Sequence, residues 1–220
     1  MSVAGGVLVA VVVVLVVIAA GVGVFAVFLR KAKASAPPAA LPSATGVQWR
    51  PIGPDPRLLS RAAMGIPAGG QALAQPIGAA VDTSYRGRYA VAFTYGRVNV
   101  TVSVRPTVRF AAVVSLDLPR PLPVLQLVPR EGGEGGLDQR FDITCQDSEF
   151  ARVVLDSAVG GLLMADQRGR YYPVRFDGAT VSSWTGAGAD SSLPWQRIDQ
   201  MLDFLTAVVE RVPTAVWEHR

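Results

Sequence analysis

YRGRYAVAFTYGRVNVTVSV, residues 85–104, alternates apolar and polar side chains with a period of two. Its first part places four large residues on one face of an extended chain: Tyr89, Val91, Phe93 and Tyr95. Its second part, VNVTVSV (98–104), alternates strictly between valine and a polar residue. Alternation with one polar face is typical of an antiparallel sheet that is covered on one side. We therefore predict such a sheet at the centre of the chain.

Three further segments read as strands: TVRFAAVVSLDL (107–118), LPVLQLVP (122–129) and RFDITC (140–145). Prolines at 119, 121, 123 and 129 favour an edge or short strand for the second of these, because proline cannot donate a ladder hydrogen bond. Asp177-Gly178 separates two β-rich runs, 171–176 and 179–185, and such a pair is typical of a type I′ hairpin turn. We predict a hairpin there.

Three segments read as helices. The first begins at Pro56 after Asp55 and ends before Gly65. The second follows QDSEF, with Asp147 as its N-cap, and the glycines at 160 and 161 should end or break it. The third spans residues 194–211 with apolar residues at i, i+3, i+4 and i+7; its predicted wet side is Arg197, Asp199, Gln200, Asp203 and Glu210. These elements predict one α+β domain over residues 47–220, with two or three helices packed on the sheet.

The N-terminal segment 3–29 carries no charge and would form a helix about 40 Å long, enough to span a bilayer. We predict a transmembrane anchor over residues 1–31 and a Pro/Ala-rich linker over 32–46. Arg30, Lys31 and Lys33 follow the apolar run, whereas MSVAGG before it has no basic side chain. The positive-inside rule then places the N-terminus outside and the domain in the cytoplasm. Ala-x-Ala sites at 32–36 leave a cleaved leader and an exported domain as the alternative.

The net positive charge of the chain comes mainly from the residues next to the predicted anchor. The chain has a formal charge of +4, with 21 basic and 17 acidic residues; without Arg30, Lys31 and Lys33 the count is 18 against 17. The basic excess is juxtamembrane, where it can contact anionic lipid headgroups. The sequence shows no nucleic-acid-binding motif, so we expect no nucleic acid among its partners. Small residues at Gly6/Ala10 and Ala19/Gly23 permit a weak homodimer through the anchor.

The residues of common catalytic chemistry are scarce. His219 is the only histidine and is next to last, and Cys145 is the only cysteine, so no intramolecular disulfide can form. Both lysines are juxtamembrane, which excludes a phosphate-binding-loop lysine. Asp138, Asp142 and Asp147 cluster in sequence and could serve a divalent cation or acid–base pair, although a loop with an N-cap explains them as well. We expect no catalytic, cofactor-binding or metal-binding residues.

Two RGR units each precede a tyrosine-containing strand, Arg86-Gly87-Arg88 and 168–170. Their guanidinium groups could contact an anionic partner or lipid headgroup, as could Arg30, Lys31 and Lys33. A plainer explanation is that arginines flank turns in which glycine adopts a positive φ.

The segments YRGRYAVAFTY, VVSLDLPRPLPVLQLVP, RFDITCQDSEFARVVLD and LDFLTAVVERVP together resemble a family of actinobacterial membrane-anchored proteins of unknown function. The resemblance covers about Trp49 to Trp217. It implies a bacterial origin and an α+β domain behind a hydrophobic anchor, and it transfers no catalytic residues.

We therefore expect a non-catalytic protein of the bacterial inner membrane that is single-pass and mediates protein or ligand interactions, including contacts with other membrane proteins. Two alternatives stay open. One is an enzyme that uses carboxylates or a divalent cation at Asp138, Asp142 and Asp147. The other is a binding protein of the cell envelope that faces outward.

Overall fold

The computed structural model describes residues 46–53, 55, 57–58, 77–99, 107–185 and 192–218. These belong to the second of the two units into which the chain divides, Ala39–Arg220. The predicted anchor, the linker up to residue 45, most of the helix predicted after Asp55, residues 100–104 of the predicted strand 98–104, and His219 lie outside the described residues. Within the described ranges, none of the helices combines the length and apolarity that a membrane crossing requires.

The described part is an α+β domain, and every strand pairing in it is antiparallel, as predicted. The strands are β1 Arg50–Ile52, β2 Ile77–Tyr85, β3 Arg88–Asn99, β4 Thr107–Pro129, β5 Phe141–Cys145 and β6 Val174–Trp184. The helices are α1 Leu137–Arg140, α2 Ser148–Leu155, α3 Ala158–Ala165, α4 Trp195–Glu210 and α5 Thr214–Glu218, with a 3-10 turn at Gln167–Arg170. The strands follow the order β1-β2-β3-β4-β5, and β6 also pairs with β4.

The strand β4 has 23 residues and lies at the centre of the sheet, so the prediction of two separate strands, the second at an edge, was wrong. Leu125 pairs with both Cys145 of β5 and Phe176 of β6, which places these two strands on opposite edges of β4. On the β5 edge, β3 pairs with residues 107–116 and β5 with residues 125–129. The prolines at 119, 121 and 123 lie between these pairings, where the described residues provide no ladder partner on that edge.

The prolines coincide with a bend. Between Asp117 and Leu125, β4 advances eight residues, whereas β6 advances four, from Thr180 to Phe176. Extra residues on one strand of a pair increase its local bend and twist. Gly178 lies opposite this region with a φ of +54°. The Asp177-Gly178 hairpin prediction was therefore wrong: the left-handed glycine bends one continuous strand, and the segments on both sides of it pair with β4.

The sheet is buried on both faces at its centre, so the prediction of a sheet covered on one side was also wrong. Every residue of β3 from Ala90 to Gly96 is buried. The first face carries Ala90, Val114, Leu116 and Phe176, which join the core formed with α2, α3 and α4. The second face holds a separate cluster: Leu58, Ala80, Val91, Phe93, Tyr95, Ala111, Val113 and Trp184.

The second predicted helix begins as expected but ends differently. The Asp147 carboxylate accepts a hydrogen bond of 2.9 Å from the backbone N–H of Phe150, which confirms the N-cap. The helix α2 ends at Leu155, and Gly160 and Gly161 lie inside α3 rather than ending a helix. Gly160 is buried, and a Cβ there would collide with the carbonyl oxygen of Leu155. The glycine thus permits the close approach of α2 and α3.

The long helix α4 confirms the prediction for residues 194–211, but not the position of Asp199 on its wet side. Asp199 is 2% exposed, and its carboxylate accepts a 3.0 Å hydrogen bond from the indole N–H of Trp49. Buried polar groups are stable when they are hydrogen-bonded. This bond fastens the first described segment of the domain to its longest helix.

Candidate ligand-binding site

A cavity of about 730 Å³ lies where the ends of the bent strands meet. Ala111 and Val128 of β4 both line it, although a straight strand would separate them by about 55 Å. Pro173, which directly precedes β6, and Trp184, at its other end, also line it. Because Val128 packs against the second-face cluster, β4 must curl back over that face. The proline segment and Gly178 thus produce a concave surface.

The lining combines aromatic and charged side chains. Tyr171 supplies most of the aromatic surface, because it is 74% exposed, whereas Trp184 is 8% exposed and Tyr95 is fully buried behind the lining. Three arginines line the same cavity, at positions 130, 140 and 170. The loop between β4 and α1 adds Glu131 and Glu134, both exposed. A concave site of this size with a few polar groups among aromatic ones is typical of small-molecule binding.

The arginines of the cavity differ in how they are held. Arg130 donates from Nε to the Asp142 carboxylate at 2.7 Å and from Nη1 to the Asp138 carbonyl at 3.1 Å. Arg140 donates from Nη1 to the Met164 carbonyl at 2.9 Å, which fixes its guanidinium between α3 and the cavity. The Nε of Arg140 is buried, and no acceptor among the described residues bonds to it.

A second groove of about 910 Å³ runs beside the proline segment, between α2 and α5. Apart from Arg120, its charged lining residues are Asp147 and Glu149, and Asp147 already caps α2. Phe150 is its only aromatic group among the described residues. We favour the smaller cavity as the binding site because its aromatic and guanidinium groups converge there.

The two RGR units meet at one carboxylate. Arg86 forms the β2–β3 turn with a positive φ of 48° and lies 3.1 Å from Glu210 and 3.6 Å from Asp203. Arg168 lies 2.6 Å from the same Asp203 and 2.7 Å from Asp166. This cluster connects the turn, the 3-10 segment and α4, and its carboxylates largely neutralise both arginines.

This network also changes ionisation. Hydrogen bonds from Arg168 hold the pKa of the Asp166 carboxyl below its usual range, although partial burial opposes the shift. The hydrogen bond to Asp166 raises the pKa of the Arg168 guanidinium. Similarly, the hydrogen bond to Glu210 raises the pKa of Arg86. These shifts fit a cluster of ion pairs that stabilises the fold.

The remaining candidates from the sequence are spread out. Arg88 lies at the start of β3, and Arg30, Lys31 and Lys33 lie outside the described residues. Asp142 pairs with Arg130 and Asp147 caps α2, so two of the three clustered carboxylates have separate structural roles. Throughout the described ranges, no three His, Cys, Asp or Glu residues converge as metal ligands would. Cys145 is exposed at the end of β5.

Among the cavity residues, sequence reasoning selects only Arg170, because the RGR unit 168–170 could contact an anionic partner. Tyr95 belongs to an alternating strand, and that pattern predicts no binding role. The proline run was the available signal, because three prolines within five residues indicate a distorted strand. Which residues the distortion brings together depends on the pairing with β6, and the sequence pattern does not state that pairing.

No protein-family model matches the chain, and neither a curated protein nor a solved structure is similar to it at a significant level.

Proposed function

We propose that this chain is a membrane-anchored, non-catalytic binding protein of the bacterial inner-membrane surface, and that the cavity between β4 and β6 binds its ligand. The observation that carries the proposal is the cavity itself, in which Tyr171 and Trp184 converge with Arg140 and Arg170. Aromatic rings provide contact area at a low cost in conformational entropy, and guanidinium groups orient a ligand through directional hydrogen bonds.

The concave face supports binding rather than turnover. None of the described cavity residues is a cysteine, a histidine or an aspartate. Its carboxylates, Glu131 and Glu134, are both exposed to water, whereas catalytic sites usually exclude water from the reacting groups. This lining therefore favours a protein that binds a molecule and releases it unchanged.

Thermal unfolding of the full chain in detergent, with a panel of small aromatic solutes, tests the binding role. A ligand at 100 times its Kd should add about 2.7 kcal/mol of stability through mass action. We expect Tyr171→Ala and Trp184→Phe to reduce this gain, and Arg152→Ala, on the exposed side of α2, to leave it unchanged. If a solute stabilises both cavity variants as much as it stabilises the unmodified chain, the proposal is contradicted. Chemical conversion of a solute that both variants abolish would replace binding with catalysis.

The membrane location has its own test. The uncharged segment 3–29 and the three basic residues after it support an anchor with the domain in the cytoplasm. A reporter fused after Arg220 that is active only in the cytoplasm should show activity, and one that is active only in the periplasm should show none. The reverse pattern would favour an exported domain. Release of the chain from membranes by high salt alone would argue against an anchor.

A further inference from the structure

We infer that the cavity selects a ligand in which an anionic group, a phosphate or a carboxylate, is joined to an aromatic ring. Arg140 and Arg170 would bind the anion, and Tyr171 would contact the ring. This inference rests on the proposed binding function and adds to it the chemical class of the ligand.

Arg140 supplies the first reason. Its Nη1 is fixed on the Met164 carbonyl, while its Nε is buried without an acceptor among the described residues. Water does not reach the Nε, so a ligand in the cavity would bond to other nitrogens of this guanidinium. The side chain lines the cavity, and the bond to Met164 holds those nitrogens in place beside it.

Arg170 supplies the second reason. It lines the same cavity from the end of the 3-10 turn, and within the described ranges neither Arg170 nor Arg140 forms an ion pair. Arg130 is different, because Asp142 lies 2.7 Å from its Nε. Two guanidinium groups at one cavity favour planar, bidentate binding of a carboxylate or phosphate.

The aromatic part of the ligand follows from Tyr171, whose neighbour in the chain is Arg170. Tyr171 is one of two exposed large hydrophobic residues in the described ranges, and it lines the cavity. When a flat ring stacks on such an exposed aromatic side chain, the apolar surface that it removes from water favours binding. Trp184, buried in the second-face cluster, offers a further ring at the same cavity.

The two glutamates of the loop do not cancel this preference. Glu131 and Glu134 are exposed, so water and salt screen their charges. Arg170 is also exposed and is screened in the same way, whereas Arg140 is half-buried and its charge is screened less. The field at the buried end of the cavity is therefore set mainly by Arg140, and the anion is expected to lie at that end.

Isothermal titration calorimetry on the full chain in a non-ionic detergent tests the inference with three probes: phenyl phosphate, phenol and inorganic phosphate. We expect phenyl phosphate to bind more tightly than either of the others. Arg140→Gln should weaken its binding at least about tenfold, because it removes charge-assisted hydrogen bonds. Arg170→Gln should weaken it about threefold, because the charge of this exposed side chain is screened. Arg152→Gln removes the same charge from the exposed side of α2 and should change binding less than about twofold.

The outcomes separate the ligand class from the binding role. If phenol binds as tightly as phenyl phosphate and Tyr171→Ala weakens both, the anionic class is wrong and the cavity remains a binding site. If phenyl phosphate binds equally to Arg170→Gln and the unmodified chain, the inference is overturned, even where Arg140→Gln fails to fold. If none of the probes binds, both proposals fail. Short-chain phosphatidic acid, added to the same micelles, serves as a fourth probe. If it binds more tightly than phenyl phosphate, the ligand is a lipid headgroup; if it binds more weakly, the ligand is a soluble phosphate.

Discussion

Replacing Gly160 by alanine should destabilise the domain, whereas the same change at its neighbour should not. Both glycines lie inside α3, the eight-residue helix Ala158–Ala165. A Cβ at Gly161 would meet nothing within 4 Å, and Gly161 is exposed. A Cβ at Gly160 would collide with the Leu155 carbonyl oxygen and lie 3.2 Å from Cδ1 of Leu137. The two positions thus form a matched pair.

The magnitude follows from two opposing effects. Alanine is favoured over glycine in a helix interior by about 1 kcal/mol, and both variants gain this contribution. Only Gly160→Ala adds an overpacking cost of about 1–3 kcal/mol, because the obstructing atom belongs to the backbone at the end of α2 and cannot rotate away. The free energies of unfolding of the two variants should therefore differ by about 1–3 kcal/mol, with Gly160→Ala the less stable.

Urea unfolding of the full chain in one detergent, followed by tryptophan fluorescence, measures this difference. Trp195 and Trp217 both pack against the core that α3 joins, so they report on its loss. For a domain of this size the melting temperatures should differ by about 2–12 °C. If the free energy of unfolding falls with urea concentration at the same slope in both variants, both expose the same amount of surface on unfolding, and their stabilities can be compared directly. If Gly160→Ala proves as stable as Gly161→Ala, the close approach of α2 and α3 is not as described.

Three further predictions concern single contacts. Trp49→Phe removes a hydrogen bond to buried Asp199 and should lower the free energy of unfolding by about 1–3 kcal/mol in the same urea assay. Asp147→Ala should cost about 1 kcal/mol through loss of the α2 cap, and Asp147→Asn much less; equal losses would contradict the cap. The folded pKa of Asp166 is lowered by Arg168, so its contribution is present above the unfolded pKa of about 4 and disappears as pH falls through the folded pKa. Asp166→Asn should therefore flatten the loss of stability below about pH 4, measured by thermal unfolding, and an unchanged slope would oppose the pairing.

Local signals predicted the elements whose formation depends on neighbouring residues. The Asp147 cap, the apolar stripe of α4 and the alternation in β3 all appear in the structure because each rests on a period or a hydrogen bond within one turn or strand. Asp177-Gly178 shows where such reasoning fails. The pair favours a positive φ in either a hairpin or a bulge, and the choice depends on β4, which is distant in sequence.

The site was harder to predict than the fold for the same reason. Tyr95 and Arg140 are far apart in the chain, and only the curl of β4 brings them to one cavity. Asp199 shows a related limit: its position on α4 predicted exposure, but its hydrogen-bond partner is 150 residues away. A periodic pattern describes the helix that carries a residue and not the surface that comes to lie against it.

The bond between Trp49 and Asp199 also sets an order of events during synthesis. The ribosome makes Trp49 first, and 150 residues separate it from its partner. At a synthesis rate of about 5–20 residues per second, Asp199 is added roughly 8–30 s after Trp49. Throughout that interval the segment next to the predicted anchor cannot complete its docking. Chaperones that bind nascent chains are thus expected to contact residues near Trp49. A chain that is truncated before α4 should remain bound to them.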